Sequence, residues 1–235
     1  MNFIFMGKPG SGKGTQGRIL ARHKLVHLAT GDMLRKAKEE GTPAGKLYAQ
    51  LCANGGLAPD SLMIDIIRER FTALLTRPFS GYILDGFPRT EEQVRAFDDI
   101  VRMDPRLTID LVAEFRLDDQ GAHERMTSRW QCVCGEVYGL IRQPPDDTHC
   151  VECGRGLYQR DEDRHEAAWR RIELYHTMTE PALAVYRSRG IVHTIDATLP
   201  PEIITKTLLN LMISESTRKY ATPEKNAHPP VVDAP

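Results

Sequence analysis

Apolar runs of strand length recur at residues 3–6 (FIFM), 26–28 (VHL), 82–84 (YIL), 111–115 (LVAEF) and 191–195 (IVHTI), separated by longer amphipathic stretches. Runs of this length, bounded by turn residues and alternating with helical periodicity, predict an α/β fold: a parallel five-stranded sheet covered by helices on both faces. In such sheets ligands bind beyond the carboxyl ends of the strands. The segments following residues 6 and 84 are therefore the places to look for chemistry.

Helical patterns are expected over residues 16–23, over 164–188 with Trp169, Ile172, Tyr175 and Leu183 facing the core, and over 201–213. Pro181 is expected to kink the second of these. Two stretches interrupt the alternation and read as insertions: a helical one at 30–59, and one at 126–163 rich in Cys, Pro, Gly and charge. The expected division is a core of residues 1–29, 60–125 and 164–213, the two insertions, and a disordered tail at 214–235 with little apolar periodicity.

Composition narrows the class. With 41% hydrophobic and 27% charged residues over 235 positions, the chain reads as one globular unit with insertions. The 31 basic residues nearly cancel the 32 acidic ones, so no global field favours nucleic acid or an anionic membrane, and anion binding has to be local. No apolar stretch is long enough to span a bilayer, and the first residues enter a strand directly; the expectation is a cytoplasmic protein, working as a monomer. Of five cysteines, Cys52 reads as a small apolar packer, and the other four crowd between Cys132 and Cys153.

Directly after the first strand comes Gly7-Lys8-Pro9-Gly10-Ser11-Gly12-Lys13-Gly14-Thr15. Glycines here let successive N–H groups converge on phosphate oxygens, and the following helix adds the positive end of its dipole. Lys13 then reaches the outer phosphates, so the ligand is a nucleotide. Gly7, Gly12 and Lys13 satisfy G-x-x-x-x-G-K, but Gly14 stands where a Mg²⁺-binding hydroxyl is usual, and the hydroxyl is delayed to Thr15. Lys8 adds a positive charge that either tightens phosphate binding or faces solvent. Asp85, after the third strand, sits where a Walker B carboxylate would hold Mg²⁺.

Read in order, GKPGSGKGTQ, LATGDMLR at residues 28–35 and GYILDGFPRTEEQ at 81–93, followed by paired arginines around a variable insert, resemble the adenylate kinases with a long lid, over residues 1–213. The resemblance includes the Gly14-Thr15 ending of the loop. It implies a P-loop NTPase-type sheet with a helical nucleoside-monophosphate-binding insertion and a lid. The implied activity is reversible, Mg²⁺-dependent transfer of the terminal phosphoryl group of ATP to AMP, giving two ADP. By motif position it implies donor contacts at Gly10, Ser11, Gly12, Lys13, Gly14, Thr15, Arg125, Arg129, Val137, Tyr138 and Leu199. For AMP it implies Thr30, Arg35, Gly56, Leu57, Ala58, Gly86, Phe87, Pro88, Arg89, Gln93, Arg160 and Arg171. The catalytic set it implies is Lys13, Asp85, Arg89, Arg125, Arg129, Arg160 and Arg171; arginine suits the task because its planar fork binds phosphate bidentately and stays charged. Asp32 and Asp161 are family-like acids that a helix-start role or a surface ion pair would explain equally well.

Cys132-x-Cys134 and Cys150-x-x-Cys153 resemble the zinc knuckles of long-lid bacterial adenylate kinases, and four thiolates suit tetrahedral Zn²⁺ in a structural role. The first knuckle is one residue short. Either it closes around zinc with altered geometry, or His149 replaces Cys132, or the lid carries no metal. A relative acting on UMP, CMP or GTP is the nearest enzymatic alternative. A nucleotide-switched zinc ribbon that binds nucleic acid is the alternative of another class, and near-neutral charge with no basic, aromatic-interleaved patch beside the cysteines argues against it.

Overall fold

The computed structural model describes residues 1–52, 55–144, 146 and 148–221. The first half of the chain forms β1 (Phe3–Gly7), α1 (Lys13–Ala21), β2 (Val26–Ala29), α2 (Thr30–Glu39), α3 (Pro43–Cys52), α4 (Asp60–Leu75), β3 (Tyr82–Asp85), α5 (Glu91–Arg102) and β4 (Leu111–Arg116). The second half forms α6 (Asp119–Thr127), β5 (Trp130–Gln131), β6 (Val137–Tyr138), α7 (His165–Leu174), α8 (Glu180–Ser188), β7 (Val192–Asp196) and α9 (Pro201–Ala221). Five strands make one parallel sheet in the order β2-β3-β1-β4-β7.

Both faces of the sheet are buried, which is why the strands read as apolar runs. Phe3 and Phe5 of β1 enter one apolar cluster with Leu20 of α1, Met126 of α6, Ile172 of α7 and Leu208 of α9. Ile4 and Met6 enter the other, with Ile67 and Phe71 of α4, Phe97 of α5 and Tyr186 of α8. The period of two along each strand thus distributes side chains between two helical layers. β1 pairs with β3 on one side and β4 on the other, so the chain reverses its direction of travel across the sheet at β1 and leaves a crevice beyond its carboxyl end.

Packing, more than propensity, holds the helices that border this crevice. α1 contains Gly14 and Gly17, each costing about 1 kcal/mol relative to alanine in a helix. Leu20, fully buried, offsets about 2 kcal/mol of this. Gln16 adds a tie to α9, donating to the Pro201 carbonyl at 2.9 Å and accepting from Thr205 at 2.7 Å. In α5 the Thr90 hydroxyl caps the first turn by accepting from the Gln93 N–H at 3.1 Å, and Val94, Phe97 and Ile100 form the buried stripe.

The described residues between 130 and 158 build a small β module on the antiparallel β5–β6 pair, with bridges Gln131–Tyr158 and His149–Gly156. The long helical pattern at 164–188 is divided by a π-helical turn at Tyr175–Thr179. Pro181 has no N–H for the carbonyl of Thr177, and the bonding widens just ahead of it. The last helix runs past residue 213 to Ala221, which shortens the expected tail. Ser216 donates to the Met1 sulfur at 3.3 Å and Glu215 lies 3.8 Å from His193, contacts that carry the helix onward. The rest of that tail, from residue 222, lies outside the described residues. No helix among the described residues is long and apolar enough to cross a membrane.

Candidate active site

β1 ends at Gly7 and the chain turns through residues 8–12 into α1. Gly10 has φ of 82°, and a Cβ there would stand 2.8 Å from the Ala122 carbonyl oxygen, so only glycine fits. The first turn of α1 has no side-chain cap and no acidic residue. Its N–H groups and positive dipole end are left for an anion. Lys13 folds back over the loop, donating to the carbonyls of Gly7 and Lys8 at 2.7 Å each and to Ser11 Oγ at 3.1 Å. Burial lowers its pKa to about 8 against the pull of Asp85, so an arriving phosphate would favour the ammonium. Lys8 does neither of the things expected of it: its ammonium pairs with Asp119 at 2.6 Å, away from the loop's concave face.

Asp85 closes β3 beside this loop. Burial disfavours its charge, but His27, Lys13 and Arg89 outweigh that and hold its pKa below the usual carboxylate value. A Cβ on Gly14 would lie 3.4 Å from Asp85 Oδ2 and fill the space beside that oxygen. The glycine at position 14 therefore keeps a gap next to an ionised carboxylate and one residue from Thr15, an oxygen donor set of the kind Mg²⁺ prefers.

The six arginines that the motifs single out all line the crevice. Arg129 grips Asp163 with two bonds, of 2.7 and 2.5 Å, and Arg171 donates to the same carboxylate at 2.8 Å. Asp163 is fully buried, and removing one partner from such an arrangement costs about 3–5 kcal/mol. Arg35 lies between Asp32 at 2.5 Å and Glu162 at 3.3 Å. Arg89 donates to the Gly86 carbonyl at 2.7 Å, Arg125 to the Ala197 carbonyl at 2.8 Å, and Arg160 to Gln131. Among the described residues no carboxylate pairs with these last three. Burial, then the charges of Arg129 and Arg35, lower the pKa of Arg160; burial also lowers that of Arg171. Surplus buried cations that repel one another make an anion site.

A cavity of about 610 Å³ joins the loop, Asp85 and these arginines, and a smaller one of about 50 Å³ adjoins it at Thr30, Ala58 and Gln93. All the residues expected to bind nucleotide line one or the other except Ser11, Phe87 and Leu199. Ser11 is buried behind the loop, Phe87 is a core residue whose ring meets Phe97 at 5.9 Å, and Leu199 stands 39% exposed outside. The side chain of Phe87 belongs to the core and does not face either cavity. Gln93 is 2% exposed; its amide donates to Asp60 at 2.7 Å and accepts from the Arg89 N–H at 2.7 Å. Thr30 donates to the Asp85 carbonyl at 3.2 Å, tying the start of α2 to the end of β3.

The four clustered cysteine sulfurs lie within 4.8 Å of one another, with Cys132 and Cys153 at 3.3 Å and Cys134 and Cys150 at 3.6 Å. Tetrahedral zinc with sulfur at about 2.3 Å needs sulfurs about 3.8 Å apart, so the donor set fits the ion. The short knuckle closes because Gly135 takes φ of 99° and donates to the Cys132 carbonyl at 2.9 Å. Cys132 stays in the cluster, and His149 turns instead to Asp146 at 2.9 Å. Burial pushes the Cys150 thiol up, yet hydrogen bonds from Tyr138 and from the Glu152 and Cys153 N–H groups bring it down to about 6.

The model of the family described as adenylate kinase matches residues 5–191. A protein named adenylate kinase from Archaeoglobus fulgidus is 41% identical over 203 residues, 84% of this chain and 91% of its own. One of the same name from Zymomonas mobilis is 41% identical over 204 residues, covering 85% and 90%. A third, from Thermosipho africanus, is 35% identical over 215 residues, covering 90% and 99%. The chain belongs to the adenylate kinase family. It is thus a nucleoside monophosphate kinase, transferring a phosphoryl group between ATP and AMP, and kinases of this family use Mg²⁺ with ATP.

In this adenylate kinase the sequence motifs left several residues of the site unnoticed. Asp163, not Asp161, is the acid that organises arginines; Asp161 is half exposed and pairs with Lys38 at 3.5 Å. Glu162 meets both Arg35 and the Tyr48 hydroxyl, at 3.3 and 3.4 Å. Asp60 receives Thr90 and Gln93, at 2.7 Å each. His27 Nε2 stands 3.6 Å from Asp85. Three consecutive acids at 161–163 carry no periodicity that separates buried from exposed, whereas Asp60 was accessible as the first residue of a helix.

Proposed function

We propose that ATP and AMP meet head to head in this crevice, with the ATP phosphates on residues 10–15 and the AMP phosphate at Arg35, Arg89 and Arg171. The observation that carries the reading is one cavity of about 610 Å³ that joins an uncapped phosphate loop, an ionised Asp85 and unpaired arginines. Residues 30–59 form the AMP-binding insertion, residues 126–163 the lid, and the remaining residues through 213 the core. Both subsites lie within one chain, which supports a monomer as the working unit.

Phosphoryl transfer asks the protein mainly to align two phosphate groups and to neutralise the charge that spreads over them. Lys13 and the N–H groups of α1 hold the donor phosphates in place. Arg89 approaches from the acceptor side, and Arg125, Arg129, Arg160 and Arg171 from the lid and its hinges, so positive charge surrounds the group in transit. Asp85, with Thr15, would hold Mg²⁺. When bound, the ion would supply positive charge to offset that of the donor phosphates. Val137 and Tyr138 lie toward the donor base; the backbone of Gly56, Leu57 and Ala58 and the Gln93 amide lie toward the acceptor base, where Gln93 must exchange a partner to pair with adenine. Closing the lid excludes water, which would otherwise compete as acceptor. Cys132, Cys134, Cys150 and Cys153 would hold structural Zn²⁺, fixing the module between Arg129 and Arg160.

Acceptor choice is tested by offering AMP, UMP, CMP and GMP separately with MgATP and measuring nucleoside diphosphate. AMP is expected to give turnover at least tenfold above the others, because rejecting a base that leaves buried polar groups unpaired costs on the order of 1–3 kcal/mol. Equal turnover with UMP would refute the adenine assignment of Gln93.

A further inference from the structure

Lys8 lies in the phosphate loop but does not line its cavity. Its side chain is 13% exposed, donates to the Leu117 carbonyl at 2.8 Å, pairs with Asp119 at 2.6 Å and stands 5.9 Å from the centre of the Tyr175 ring. Asp119 is the first residue of α6 and meets His176 Nε2 at 3.0 and 3.1 Å. The other ring nitrogen of His176 lies 3.2 Å from Glu180. A neutral imidazole can donate from only one nitrogen, so this arrangement is complete only with imidazolium.

The backbone of Lys8 faces the site that its side chain avoids. Its carbonyl accepts from Lys13 Nζ at 2.7 Å and from the Ser11 N–H at 3.2 Å. Fixing the Lys8 ammonium therefore fixes the carbonyl on which the phosphate-binding lysine rests. Two of the pieces joined at Asp119 also bear donor-side charges: the loop that leads into Lys13, and α6 with Arg125 near its end.

We propose that Lys8 is a positioning residue for the donor phosphates: clamped by Leu117 and Asp119, and through Asp119 by His176, it holds the phosphate loop in its binding shape before ATP arrives. The proposal rests on the donor phosphates occupying that loop. It binds no substrate itself; it removes freedom from the loop, and the gain appears in donor affinity. The clamp is also sensitive to protons. Hydrogen bonding to Asp119, then to Glu180, raises the pKa of His176 above the ordinary imidazole value, and Lys8 and Tyr175 are the other groups that face this cluster. A raised value means the imidazolium's contribution is whole below about pH 6.5 and is lost as pH climbs through the higher folded value.

The test is steady-state kinetics of the full chain at about pH 6 and about pH 8.5, values either side of the imidazole range. Lys8→Met is expected to raise KM for MgATP by about three- to tenfold, with KM for AMP and kcat within twofold. Asp119→Asn, which leaves Lys8 its Leu117 contact, is expected to move KM for MgATP in the same direction by less, and Lys8→Arg to restore it. In the wild type the rise in KM for MgATP between the two pH values should exceed that in His176→Gln; both share Lys13 and the nucleotide's own titration, so their ratio isolates His176. Unchanged KM for MgATP in both Lys8→Met and Asp119→Asn, or identical pH ratios with and without His176, overturns the proposal. A Lys13→Met control separates the two readings: if it alone disables the enzyme, the loop assignment stands and only the clamp fails; if it too is silent, the loop assignment itself fails.

Discussion

Lys13→Met is expected to lower kcat by about a hundred- to a thousandfold, the usual loss when one preorganised charge is removed from a developing negative centre. Methionine keeps most of the volume, so the cavity is not refilled. What disappears is an ammonium that sits within 2.7 Å of two loop carbonyls and 3.1 Å of Ser11, at the focus of the uncapped helix start. Gly7 borders the crevice, where its carbonyl can turn to water, and the Lys8 carbonyl keeps the Ser11 N–H at 3.2 Å, so thermal stability should fall by no more than about 1–3 kcal/mol. A coupled ADP assay with a thermal melt separates the two effects. A kcat within tenfold of wild type in the folded variant would contradict the role given to Lys13.

Stripping metal is expected to give the second large effect, on stability. Elemental analysis of protein purified without added metal should find one zinc per chain, held by the sulfurs that lie within 4.8 Å of one another. At a free zinc level about a thousand times its Kd, binding contributes about 4 kcal/mol, and for a chain of this size each kcal/mol moves the melting midpoint by about 2–4 °C. Chelation should therefore lower the midpoint by about 8–16 °C. Among the described residues the module's apolar cluster holds Tyr138 and a half-buried Leu157 beside Cys132 and Cys150, so little apolar burial could substitute for the metal. Protein that contains no zinc and melts unchanged in chelator would contradict the assignment.

Much of this architecture was legible because its signals are local. The five sheet strands appear within about a residue of the apolar runs, since a strand buried on both faces announces itself by composition alone. The phosphate loop and Arg89 could be placed by motif spacing, and the structure brings them to one cavity. What escaped depended on tertiary partners. Gln93 lies on the buried side of α5 next to Val94 because Asp60, thirty-three residues earlier, accepts from its amide. Asp163 is buried only because Arg129 and Arg171 converge on it from two helix ends. The helix beyond residue 213 leans on Met1 and His193, contacts that no window of sequence around residue 216 contains. Lys8 is similar: a charge in a phosphate loop suggests phosphate, and only the fold shows Asp119 in the way.

If one crevice holds two nucleotides, the phosphoryl group passes between them and not to water. The direct measurement is a single turnover with γ-labelled ATP, Mg²⁺ and excess AMP. The label is expected in the β position of ADP, at a rate well above its release as inorganic phosphate. Label recovered mainly as inorganic phosphate, at a rate indifferent to AMP, would contradict it.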